Sequence, residues 1–582
     1  MDPRSAAHVL TRIAALLELN GVNRFKSRAY ATAARSVLAL DTDDIGPLLR
    51  AGELETLPGL GPATLAVLRD LVATGDSSLL EQLQEDTPEG LLEMLRVPGL
   101  GTTKIHAIHE GLGVETLHDL ELAARDGRLA GLRGFGPKTA EKIAKGIAFL
   151  KANGALVLYP HAAAEAGRLL EDVRRHPEVV EAAVAGSVRR RREVICDVDV
   201  VAAVRGKPAA VAQSFGRAPG VRDVLGAGGG SARLRYVDGT QLDVHCVVPE
   251  QFAVALWRAT GTAEHVAEVA ARLAARGCRL DGDAITDARG RVVPVPDEPA
   301  LYALAGLAFV APELREGRGE VEAAAMGALP CLVSPNDVRG VLHCHSDYSD
   351  GNTTIAEMAA AARARGWSYL GITDHSQSAF YAGGLTRDAV LRQHDEIDAL
   401  NESLGAEGAA FRVLKGIEAD ILEDGRVDFG GDLLERFDYV IGSVHSRFGM
   451  SESAMTERVC RALDDPHLTI LGHPTGRLLL TREPYAIDME AVIDKAAETG
   501  VAIELNADPH RLDLDWRLCK RAKERGVLVE IGPDAHSAHG LDNVEIGVGV
   551  ARKGWLEPND ILNTRTADDV LAFARARREA HR

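Results

Sequence analysis

The C-terminal part of the chain alternates short apolar runs with segments of helical periodicity. The runs read VLHCH, YLGITDH, VLKGIEADI, YVIGSVH, TILGHP, VAIELNA and LVEIGPDAH. Each is short, apolar and β-branched, which predicts a strand buried on both faces, as in a parallel sheet covered by helices. Six of the seven runs close with His, Asp or Glu, or carry one just past the end, where the loops of a (β/α) barrel gather catalytic groups. Residues 1 to 150 read as helical, with three similar segments recurring about every forty residues. Between these regions, the alternation from Glu193 to Val201 predicts a strand with Asp197 and Asp199 on one face and Val194, Cys196, Val198 and Val200 toward a core.

The strand ends carry nine metal-seeking side chains: His343, His345, Asp350, His375, Glu418, His445, His473, Asp534 and His536. His343 and His345 are two apart on a strand, so both imidazoles point to one side and Cys344 to the other. Asp534 and His536 repeat that spacing. Taken singly, each His is as well explained by packing or a hydrogen bond. Nine such groups at strand ends are too many for one ion and imply two or three divalent metals, and mixed imidazole and carboxylate ligands suit Mn²⁺, Zn²⁺ or Fe²⁺ better than calcium.

At 582 residues the chain is several domains long, and 46% apolar residues with only 4% aromatics imply cores built from Leu, Val, Ile and Ala. A net charge of −19 argues against coating nucleic acid by charge alone, but leaves room for local patches such as Arg189 to Arg192 and Lys138, Lys142 and Lys145. Seven scattered cysteines suit a reducing compartment. The start has no secretory pattern and no apolar run is long enough to span a bilayer, so a cytoplasmic protein with no membrane partner is expected.

The three N-terminal segments read LPGLGPATLAVLRDL, VPGLGTTKIHAIHEGL and LRGFGPKTAEKIAKGI. Their glycines permit tight turns that leave backbone N–H groups at a helix start free to meet an anion. The candidate DNA contacts are Gly59, Gly61, Gly99, Gly101, Lys104, Gly134, Gly136 and Lys138; plain turns of a helical bundle are the alternative. In the middle, Asp197 and Asp199 with Asp243 of QLDVHCVV make a carboxylate triad whose repulsion a divalent cation would relieve. Gly186 and Ser187, followed by arginines, form a turn suited to a polyphosphate.

The nine ligand positions, from about Gly340 to Ala574, resemble the PHP (polymerase and histidinol phosphatase) phosphoesterases. By that likeness one ion takes His343, His345, Glu418 and Asp534, a second Asp350, His375 and His473, and a third Glu418, His445 and His536. The N-terminal segments resemble helix-hairpin-helix units, and essentially the whole chain resembles a bacterial family X DNA polymerase joined to a PHP domain. The resemblance implies a multidomain fold: an N-terminal helical region with helix-hairpin-helix motifs (1–90), helical fingers (91–152), an α+β nucleotidyltransferase palm (153–252), a thumb (253–318), a linker (319–338) and a (β/α)7 PHP barrel (339–582). It also implies that Asp197, Asp199 and Asp243 hold two Mg²⁺ or Mn²⁺ ions, and that Gly186, Ser187 and Arg190 hold the incoming deoxynucleoside triphosphate. The expected activities are gap-filling polymerisation on gapped or nicked DNA and 3′–5′ exonuclease or 3′-end cleaning, by a monomer.

Three departures stand out. Where the family has an aromatic pair against the nucleotide sugar, this chain has Arg258 and Ala259. Cys196 and Val266 replace a glycine near the triphosphate and a polar residue near the base. Val67 stands where relatives with 5′-deoxyribose phosphate lyase activity carry a Schiff-base lysine. Two rivals remain open at this stage: a PHP nuclease whose polymerase-like part only binds DNA, and a phosphatase of the histidinol phosphate type.

Overall fold

The computed structural model describes residues 1 to 580 except Asp2, Val22, Asn23, Asp41, Asp43, Asp86, Arg96, Pro98, Gly99, Gly154, Ala155, Val237 and Asp238. The chain divides into two units, Met1–Gly154 and Ala155–Arg582.

The first unit is helical. Leu10, Ile13, Leu16, Tyr30, Val37, Leu65 and Leu68 form one core, and Met94, Ile105, Ile108, Leu120 and Ile143 another. Gly59 sits at φ +81°, and a Cβ there would lie 2.5 Å from the backbone nitrogen of Ala33, so only glycine allows this turn to approach its neighbour. The three hairpins lead into the helices Pro62–Thr74, Thr102–Leu112 and Pro137–Asn153. Val67 is a core residue of the first, 4% exposed.

In the second unit a five-stranded sheet runs in the order Val179–Val184, Val198–Val204, Gln241–Val247, Ser231–Tyr236, Val221–Gly228. Its two acid-bearing strands are parallel neighbours, and Asp199 pairs in register with Asp243. The strand expected over residues 193–201 is broken. Val194–Ile195 turns aside to pair with Val157–Leu158, and the sheet strand begins at Val198. Ile195 is therefore the core residue and Cys196 is exposed, the reverse of the alternation read from the sequence.

After a small antiparallel sheet (Cys278–Asp281, Ala284–Asp287, Val292–Val293) come the parallel strands of the barrel. They are Gly340–Val341, Tyr369–Ile372, a third strand in two pieces (Arg412–Lys415 and Glu418–Asp420), Val440–Ser443, Leu468–Leu471, Ala502–Asn506 and Val529–Gly532, seven in all. Parallel bridges between Cys344 and Ala535, and between His375 and Glu418, close the cylinder. Leu342, Tyr369, Leu414, Tyr439, Ile441 and Ile470 fill its interior, so the barrel is a packed core and its chemistry is confined to the strand ends.

Candidate catalytic centres

Five of the strand-end histidines of the barrel converge on Glu418. Its carboxylate is 1% exposed and lies 3.5 Å from His343, 3.8 Å from His345, 2.9 Å from His375, 3.3 Å from His445 and 3.0 Å from His473. Asp534, held at φ +50°, lies 3.2 Å from His345 and 3.8 Å from His343. Asp350 lies 3.5 Å from His375 and 3.3 Å from His536.

Ligand atoms close together fall into three overlapping groups: His343, His345 and Asp534; His375, Glu418 and His445; and His345, Asp350, His375 and His536. The grouping differs from the expected one: Glu418 is absent from the group of His343, His345 and Asp534, His375 joins Glu418 and His445, His345 joins Asp350, and His536 and His473 change partners. His536 stands with Asp350 rather than with Glu418 and His445, because its loop turns toward Asp350. His473 stands against Glu418 and, at 3.3 Å, against His445 rather than beside Asp350.

The electrostatics are those of a site built for cations. Burial works against the charged rings of His375 and His445, but Glu418 and the neighbouring Asp350 and Asp420 more than offset it, raising them to about 10 and about 9. Burial lowers His345 to about 4 and His473 to about 3, the latter helped by Arg511. His343 Nε2, both ring nitrogens of His345 and Nδ1 of His473 are buried and make no hydrogen bond. Buried polar atoms in native proteins are almost always satisfied, so these nitrogens fit divalent ions.

A supporting layer is not visible in the sequence pattern. Glu504 Oε1 lies 2.5 Å from His343 Nδ1, which leaves Nε2 facing the site. Asp420 does the same for His445 at 2.8 Å. Arg511 Nε lies 3.4 Å from Asp534. The only sequence signal for Glu504 was an acid inside the apolar run VAIELNA, and its partner came from a strand 161 residues away.

The second centre lies on the five-stranded sheet. A cavity of about 400 Å³ is lined by Asp199, Asp243, Arg233, Ser231, His245 and Ala259. Burial, and then the charges of Asp197 and Asp243, raise Asp199 to about 7. Burial and Asp243 also raise Asp197. Two acids that resist ionising beside a third carboxylate fit a cation site. Arg233, unflagged by the sequence, sits opposite Asp243 across the strands, with Nε 2.9 and 3.0 Å from its two carboxylate oxygens.

Gly186, at φ +58°, packs so close to the Asp199 carboxylate that any Cβ would collide with it. Ser187 Oγ is buried without a partner. Arg190 is already engaged, its Nε 2.9 Å from Glu316 and its NH1 2.5 Å from the Thr260 carbonyl. The rest of the arginine run has partners as well: Arg189 pairs with Glu298, Arg191 reaches the Glu545 carbonyl and Arg192 faces Glu316. Arg258 pairs with Asp283 at 2.8 Å. In the first unit Gly101, Lys104, Gly134, Gly136 and Lys138 are exposed at their hairpins, while Gly59 and Gly61 are half-buried. Gly99 lies outside the described residues.

Comparison with known proteins agrees along the whole chain. A helix-hairpin-helix domain model matches residues 1–77, a SAM-like helix-hairpin-helix tandem 91–148, the DNA polymerase beta thumb 255–316 and the PHP domain 342–508. The DNA polymerase/3′-5′ exonuclease PolX of Bacillus subtilis (strain 168) is 37% identical over 98% of this chain and 99% of its own length. A probable phosphatase of Syntrophotalea carbinolica is 31% identical over 40% of this chain and 94% of its own length, and one of Thermoanaerobacter sp. (strain X514) is 29% identical over 38% and 89%. The phosphatases match one part of the chain, whereas the polymerase matches all of it. The chain belongs to the bacterial family X DNA polymerases that carry a C-terminal PHP domain.

Proposed function

We propose that the chain is a DNA repair enzyme that fills short gaps by nucleotidyl transfer and trims 3′ ends with its barrel. The observation that carries this reading is the presence of two separate cation-seeking centres in one unit: the acids Asp197, Asp199 and Asp243 beside an unpartnered Ser187, and the overlapping His, Asp and Glu clusters at the barrel's strand ends, joined through His345 and His375. Asp197, Asp199 and Asp243 would hold two Mg²⁺ or Mn²⁺ ions, and the nine barrel residues two or three ions of Mn²⁺, Zn²⁺ or Fe²⁺. Bound ions would neutralise phosphoryl oxygens and lower the pKa of the attacking hydroxyl or water.

The side chains divide the remaining work. Asp243 accepts the proton of the primer 3′-hydroxyl as that oxygen bonds to the α-phosphorus, and pyrophosphate leaves. Ser187 donates its free hydroxyl to the triphosphate, and the backbone of the Gly186 turn approaches it without a side chain in the way. Arg190, fixed by Glu316 and Thr260, offers a positive charge whose position is already set. In the barrel, Glu504 and Asp420 hold the tautomers of His343 and His445, so that Nε2 of each faces Glu418 and the site that would hold the ions. The helix-hairpin-helix turns grip the backbone of gapped or nicked DNA without reading bases. The cysteines are free, as a cytoplasmic setting keeps them. Among the described residues no helix is long and apolar enough to cross a membrane.

A primer-extension and 3′-degradation assay on gapped DNA, run with Mg²⁺, Mn²⁺, Zn²⁺ and Fe²⁺ in turn, tests the reading. Extension by deoxynucleotides and loss of 3′ nucleotides are both expected. Degradation with no extension under any metal would favour the nuclease whose polymerase-like part only binds DNA.

A further inference from the structure

Three arginines from separate segments of the second unit converge where the five-stranded sheet, the connector and the barrel meet. Arg192 follows the Gly186 turn, Arg318 ends the thumb segment at the linker, and Arg517 belongs to the barrel helix Trp516–Glu524. With Glu316, Gly317 and Trp516 they line a cleft of about 570 Å³. Arg318, Arg517 and the Lys553 ammonium lie 5.3, 5.1 and 4.5 Å from the centre of the Trp516 ring. Trp516 is itself 4% exposed, so the indole acts as a floor that holds the cations rather than as a platform for a base.

The acids nearby do not balance this charge. Glu316 is shared by Lys553, Arg190 and Arg192. Asp515 is shared by Arg477 and Arg517, and Glu193 lies 3.9 and 3.8 Å from the same two arginines. Arg318 is exposed and, among the described residues, has no carboxylate within ion-pair distance. Like charges gathered at one place repel, and a polyanion relieves the repulsion.

The connections of the lining residues point to which polyanion. Arg192 is two residues past Arg190 at the polymerising centre. Trp516 and Arg517 open the helix that follows the loop whose Arg511 touches Asp534 in the barrel site. The cleft is therefore built from one segment that continues from the polymerising centre and one that continues from the barrel site. A 3′ terminus moving between the centres must leave its template, and so arrives as a single strand. Resting on the two-centre function above, we propose that this cleft binds the phosphodiester backbone of an unpaired 3′ strand between the polymerising and trimming centres. Recognition through guanidinium and phosphate makes such binding indifferent to sequence and dependent on salt.

The test uses the full chain with Arg318→Ala and Arg517→Ala combined, and with the corresponding Lys pair. Binding of a fluorescent oligodeoxythymidylate is followed by anisotropy across a salt series. The Ala pair is expected to weaken binding about tenfold and to flatten the log–log salt slope by roughly 1.4, while the Lys pair restores both. In parallel, the ratio of mismatched 3′-end removal to hydrolysis of bis-p-nitrophenyl phosphate is expected to fall in the Ala pair. Unchanged affinity and slope would overturn the proposal. So would inorganic pyrophosphate displacing the oligonucleotide from wild type as fully as unlabelled strand does, since the cleft would then take free polyphosphate. Failure of the two-centre reading would instead appear as wild-type protein that neither extends nor trims, whatever the anisotropy shows.

Discussion

Replacing Glu418 by glutamine removes one charge at the point where five imidazoles meet, and leaves the shape nearly unchanged. The carboxylate lies 2.9 to 3.8 Å from His343, His345, His375, His445 and His473, so no other residue can take its place as a shared anion. Ions that bind the folded chain alone stabilise it by about 2.7 kcal/mol at a hundredfold excess over Kd. In a domain of the barrel's size each kcal/mol moves the midpoint by about 2 to 4 °C. Saturating Mn²⁺ should therefore raise the wild-type barrel transition by about 5 to 10 °C, and should do little for Glu418→Gln. Asp350→Asn should keep most of the effect, because Asp350 is 35% exposed at the rim and lies beside three of the histidines, His345, His375 and His536, rather than five. Calorimetry with and without Mn²⁺, paired with elemental analysis of the purified proteins, reads both quantities. Full metal content and an undiminished Mn²⁺ shift in Glu418→Gln would refute the shared-anion arrangement.

Three further outcomes follow from other parts of the molecule. His394, 6% exposed against Phe437, is held down to about 4 by burial and then by Lys415. The unfolded chain takes up a proton below about pH 6.5 that the folded chain refuses until about pH 4, so stability falls across that window by about 2–3 kcal/mol. His394→Leu should lose that part of the slope in acid-denaturation curves, and an unchanged slope would contradict it. Gly371→Ala places a Cβ against the Tyr439 hydroxyl and 3.0 Å from Leu342 Cα, and should cost about 1–3 kcal/mol in denaturant midpoints, whereas a neutral effect would show that Tyr439 moves freely. With Arg258 tied to Asp283 and Ala259 lining the polymerising cavity, no ring excludes a 2′-hydroxyl; kcat/KM for ribonucleotides should approach that for deoxynucleotides, and rejection on the order of 10⁴-fold would locate the gate elsewhere.

The barrel site was legible in the sequence because a buried parallel strand is a continuous apolar run, and a His or Asp at its end is an exception that chemistry must explain. The period of two correctly put His343 and His345 on one side. The grouping of the ligands was not legible, since it depends on how the loops bearing Asp350, His473 and His536 turn. Glu504 and Asp420 were missed for a related reason: an acid on a strand gains its meaning from partners far away in the chain. The break at Cys196 escaped because alternation alone does not show that Val194–Ile195 has a different partner, Val157–Leu158, from the strand that follows it. Arg190 illustrates the same limit, its place beside the Gly186 turn being set by Glu316, which Lys553 of the barrel also holds.

The central claim is that one chain houses two independent chemistries. It is tested most directly by following a labelled primer on gapped DNA with deoxynucleotides and Mn²⁺, using wild type, Asp197→Ala with Asp199→Ala, and Glu418→Gln. The account expects wild type to extend and to trim, the double aspartate variant to trim without extending, and Glu418→Gln to extend without trimming. Extension that survives loss of both aspartates, or trimming that survives loss of Glu418, would contradict it.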